Sequence, residues 1–81
     1  MTRPPGIPGL PSDETVRGAL ASNLQKIMLR RKLRPSQLAT QAGEHRSEIH
    51  YILHAERLPS VAVLARLAKV LQVPTDWLLR V

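Results

Sequence analysis

The chain has no cysteine and no phenylalanine, and Tyr51 and Trp77 are its only aromatic residues. Without cysteine there is no disulfide scaffold, no cysteine-ligated zinc finger and no thiol nucleophile. Two aromatics are too few for the stacking platforms on which single-strand binders are built. No apolar run approaches the roughly 20 residues that span a bilayer, and no signal-peptide pattern opens the chain, so a cytoplasmic protein is expected. Also missing are a glycine-rich phosphate loop, a Ser-His-acid arrangement and paired carboxylates. Neither an enzyme nor a cofactor is therefore expected. With 81 residues the chain is one domain, too small for a deep substrate cavity.

What is present is positive charge: twelve Lys and Arg against six Asp and Glu, a net +6. Such a balance points to an anionic partner. The charge is unevenly spread. Residues 15–34 carry six cations and no acid, whereas residues 35–60 carry two cations and three acids.

Residues 1–12 form a Pro/Gly-rich arm: four of the seven prolines lie in the first eleven positions, which excludes a helix or central strand there. Packing of the arm on this domain or a partner, with Ile7 and Leu10 as its apolar contacts, is expected first, disorder second and a reach to DNA by Arg3 third. Residues 13–81 read as an all-α domain of about five helices. Ser12-Asp13-Glu14 supplies a cap and two acids for a first helix, with Val16, Leu20, Leu24, Ile27 and Met28 on one face. Gly18 is expected to delay its proper start to about Ala19. Leu33-Arg34-Pro35 breaks the chain, and a second helix opens at Pro35 and stops at Gly43. A third follows from His45 to about Leu53, with Ile49 and Ile52 inward. Leu58-Pro59-Ser60 caps a fourth, whose stripe is Val61, Leu64, Leu67, Ala68 and Leu71. A last short helix begins at Val73-Pro74-Thr75-Asp76 and bears Trp77, Leu78 and Val81.

Two short helices joined by a tight glycine turn within a small bundle form a helix-turn-helix. The ordered residues Leu33, Gln37-Leu38-Ala39, Ala42-Gly43, Ser47, Ile49, Ile52, Pro59-Ser60, Leu64, Leu67-Ala68-Lys69, Leu71, Val73, Asp76 and Leu78 resemble the lambda-repressor, Cro and Xre family. With the first helix included, the resemblance covers most of the chain. It implies a lambda-repressor-like fold and a sequence-specific regulator of transcription, a small repressor or controller, on double-stranded DNA. Pro35, Glu44 and Leu53-His54-Ala55 depart from the family's usual residues.

An α-helix fits the major groove of B-DNA, with the N-terminal half of the second helix of the motif aimed at base edges. The outward residues of that helix, His45, Arg46, Ser47, His50 and Tyr51, are the expected base readers, and the resemblance implies base contact at His45, Arg46, Ser47 and Tyr51. Arg46 leads, because a guanidinium bonds guanine O6 and N7 together. Arg30, Arg31, Lys32 and Arg34 precede the second helix, whose N-terminus favours phosphate, and with Gln37 and Arg57 they are the expected phosphate contacts. The alternatives are a solvated basic helix end, and for Tyr51 a ring packed on the helix. Glu48 is expected to pair with a nearby cation or face away, or to accept from cytosine N4. His50 and His54 stand four apart, but with no third ligand no metal site is expected. Imidazoles near phosphates would tighten DNA binding as pH falls.

Trp77, Leu78 and Val81 make an apolar cluster, read as a homodimer interface that would set two recognition helices on a pseudo-palindrome. Capping of the monomer core is the alternative for Trp77. The rival functional class is an interaction module such as an antitoxin, which would neutralise a toxin-like partner protein and autoregulate through the same fold.

Overall fold

The hydroxyl of Ser12 accepts the Thr15 N–H at 3.1 Å, and Asp13 and Glu14 follow in the positively polarised first turn. From this cap the computed structural model, which describes residues 8–81, builds five helices: α1 (Asp13–Arg31), α2 (Pro35–Ala42), α3 (Arg46–Leu53), α4 (Val61–Leu71) and α5 (Thr75–Leu78). No strand occurs among the described residues. Arg3 and Ile7, considered for arm contacts, lie outside them. Leu10 is exposed and does not pack on this domain.

Gly18 does not delay α1, which is continuous from Asp13. The Ser12 cap and the burial of Leu20, Leu24, Ile27 and Met28 outweigh one weak helix former. α1, α2 and α4 end on left-handed residues, Lys32, Gly43 and Gln72, whose N–H groups bond back to carbonyls of the last turn. Ser60 caps α4 by accepting from the Val63 N–H at 3.2 Å.

Every helix contributes to one core. Leu20 and Leu24 from α1, Leu38 from α2, Ile49 and Ile52 from α3, Leu67 and Leu71 from α4 and Leu78 from α5 are all less than 2% exposed. Truncating one such leucine to alanine typically costs about 2–5 kcal/mol. Two apolar expectations are corrected here. Val61 is 84% exposed: as the first residue of α4 it lies off the inward face, which is formed by Leu64, Leu67, Ala68 and Leu71 with Val63 packed at its edge. Leu78 is fully buried among the core leucines, so it is not available to a dimer interface.

α1 packs against α3 and α5, and α2 against α3 and α4. The third helix is thus held from two sides. At the far end, the Asn23 side-chain amide reaches three carbonyls, those of Trp77 (3.2 Å), Leu78 (2.9 Å) and Arg80 (2.9 Å). It satisfies the open carbonyl end of α5 from outside the helix.

Candidate nucleic-acid interface

The two faces of α3 are chemically separate. Ile49, Ile52 and Leu53 are buried. His45, which stands at the N-cap, and Arg46, Ser47, His50 and Tyr51 are all exposed on the other side. The inward residues leave little freedom to rotate the helix, and so fix which side chains point outward. Two polar contacts add to that. The Gln25 side chain of α1 donates to the Leu53 carbonyl at 2.9 Å, and Arg66 of α4 pairs with Glu44 in the turn before α3 at 2.7 Å.

The basic run ends α1 and leads into α2, the helix packed against α3. Arg30, Arg31, Lys32 and Arg34 are exposed, and no acid among the described residues pairs with any of them. All four are therefore available to an anion. Arg30 and Arg31 also complement the C-terminal end of the α1 dipole. Pro35 occupies the first position of α2, which leaves Ser36 and Gln37 to supply first-turn N–H groups. Gln37 is partly engaged: its side-chain carbonyl accepts the Arg34 N–H at 2.8 Å, and its NH2 group remains as a donor.

Arg57 differs from the other expected phosphate contacts. Its guanidinium bonds the Glu48 carboxylate at 2.7 Å and lies over the Tyr51 ring, 4.8 Å from the centroid. It is a held cation and not a free one. Glu48 thus pairs with a nearby cation. Tyr51 is 37% exposed with one ring face covered by that guanidinium. His50 and His54 stack with centroids 4.1 Å apart and ring planes at 26°. Among the described residues no group of three or more His, Cys, Asp or Glu stands close enough to hold a metal ion.

Gln25 and the Glu44–Arg66 pair were not anticipated from the sequence. Nothing local marks Gln25, an exposed polar residue on a basic helix. The one available signal for Glu44 was its acidity at a position where the family usually has a small apolar residue.

The expected cluster at the carboxyl end divides three ways. Leu78 is core, Trp77 is half-buried against that core, and Val81 is 77% exposed.

The family model described as helix-turn-helix (HTH_3) matches residues 24–78. The chain belongs to this family, the Cro/C1-type helix-turn-helix proteins. The matched span runs from the middle of α1 to the end of α5, so the motif and both sides of its packing lie within it. Three solved structures share the fold of this HTH_3 domain. The restriction-modification controller protein C.AhdI from Aeromonas hydrophila has 21% identity and a TM-score of 0.73, over 76% of this chain and 94% of that one. A hypothetical transcription factor, NHTF from Neisseria, has 23% identity and a TM-score of 0.77, over 93% of this chain and 84% of that one. An HTH_3 family transcriptional regulator from Vibrio cholerae has 21% identity and a TM-score of 0.77; 83% of this chain is covered, but only 38% of that one. No curated protein matches the sequence. Membership of HTH_3 makes this chain a DNA-binding regulator. Among the described residues no helix is long and apolar enough to cross a membrane.

Proposed function

We propose that this HTH_3 domain is a sequence-specific transcriptional regulator of the small repressor or controller kind, which lays α3 in the major groove of double-stranded DNA. The observation that carries the reading is the division of α3. Its apolar residues are locked into the core, while His45, Arg46, Ser47, His50 and Tyr51 stand exposed, and the basic run that leads into α2 is exposed and unpaired. Base edges are read by the exposed helical side chains, and phosphates are held by Arg30, Arg31, Lys32 and Arg34. Association as a homodimer on a pseudo-palindrome would set two copies of α3 about 34 Å apart, one helical turn of DNA. Val81 and the outer side of Trp77 are the apolar surface that supports it, without Leu78.

The deciding experiment is selection of bound sequences from a random duplex pool, followed by Arg46→Ala on the selected site. The substitution is expected to cost about 1–3 kcal/mol and to relax discrimination at one base pair. Failure of the pool to converge, or an Arg46→Ala protein that binds as tightly as the original, defeats the reading. Sedimentation with and without the selected duplex tests the two-fold arrangement, and one copy per symmetric site would defeat it.

A further inference from the structure

The first turn of α3 carries an acid, Glu48, on the element that meets a polyanion in the reading above. Its carboxylate is 2.7 Å from Nη1 of Arg57, with the Glu48 side chain 21% exposed and that of Arg57 55% exposed. The same guanidinium covers the Tyr51 ring. Residues 48 and 51 are three apart and neighbours on the helix surface. Arg57, entering from the segment after α3, therefore bridges two side chains of one helix.

A surface ion pair alone seldom outweighs the rotamer entropy of a long cation, and neither does an exposed cation–ring contact. Here both act on a single guanidinium, whose ordering is needed only once. The arrangement holds the Tyr51 ring to one orientation, with His50 in edge contact at a centroid distance of 5.8 Å. It also neutralises a carboxylate that would otherwise repel phosphates, and withholds Arg57 from sequence-blind contact with the DNA backbone.

We propose that Glu48 is a positioning residue for base recognition by Tyr51, acting through Arg57. It rests on the DNA-binding reading above. Glu48 fixes the guanidinium, the guanidinium fixes the ring, and the ring meets one base step instead of wandering over two. Glu48 thereby determines specificity without touching a base.

The test uses the full chain and the selected duplex with its single-base variants, titrated at fixed salt. Tyr51→Leu first identifies the base pair whose discrimination Tyr51 supplies. Glu48→Gln is expected to lose about three- to tenfold of discrimination at that same base pair, Arg57→Gln to do likewise, and Glu48→Asp to restore part of it. In the Tyr51→Leu background, Glu48→Gln should add nothing. Thermal unfolding of each variant confirms that it folds. The proposal is overturned if Tyr51→Leu relaxes no base pair, if Glu48→Gln leaves that base pair discriminated, or if the two losses add in the double variant. A wild-type chain that binds no selected duplex overturns the DNA-binding reading itself, at an earlier and separate point in the experiment.

Discussion

The side-chain amide of Gln25 donates to the main-chain carbonyl of Leu53 at 2.9 Å, tying the middle of α1 to the last turn of α3. The last carbonyls of a helix have no partner within it, so this bond fills a vacancy that the short third helix cannot fill itself. It also joins the helix that ends in the basic run to the helix expected to read bases. Replacing Gln25 with alanine should lower stability by about 1 kcal/mol. Denaturant unfolding would show this as a shift in midpoint with little change in slope. A midpoint identical to wild type would mean that water replaces the bond at no cost.

Gly18 gives an opposite expectation. A Cβ at this exposed helical position meets nothing within 4 Å, and its backbone is not left-handed. Gly18→Ala should therefore stabilise the protein by about 0.5–1 kcal/mol, since alanine has the higher helix propensity. The thermal midpoint should rise, and DNA affinity should stay as it is.

Ala55 is the converse case, a residue with a side chain at φ +58° just after the third helix. Its N–H bonds the Ile52 carbonyl at 3.2 Å and that of Glu56 bonds Tyr51 at 2.9 Å, so the left-handed conformation is what closes the helix end. Ala55→Gly keeps both bonds and removes a steric penalty of about 1 kcal/mol. A gain in unfolding free energy approaching that figure is expected. A loss would show that the partly buried methyl group of Ala55 matters more than its backbone strain.

The unpaired basic run makes a prediction in salt. Arg31→Ala should weaken binding to all duplexes alike and reduce the slope of log affinity against log salt by about one. Arg57→Ala should reduce that slope by less, because its guanidinium is held by Glu48. Equal slopes for the two variants would mean that DNA pulls Arg57 off its partner on binding.

Local chemistry was legible in the sequence, and distant pairing was not. Ser12, Pro35, Gly43 and Ser60 mark helix ends because a cap or a stop acts within three or four residues. The inward positions of α3 followed from spacing alone. Leu78 was misread because an apolar residue near a chain end carries no label for core or surface. Only the approach of α1 and α4 to α5 buries it. Arg57 read as a phosphate contact and not as a held cation, since the contacts that hold it depend on how the segment after α3 folds back. The Gln25 and Arg66 contacts join residues 28 and 22 positions apart, beyond the reach of any periodicity.

The Asn23 amide offers two hydrogens to three carbonyl oxygens. The bonds to Trp77, Leu78 and Arg80 therefore cannot all be linear at one time, and the amide must share or alternate among them. All three bonds go to the main chain, so residues 77–80 are retained on α1 whatever side chains Trp77 and Arg80 carry, and a substitution at either leaves that attachment in place.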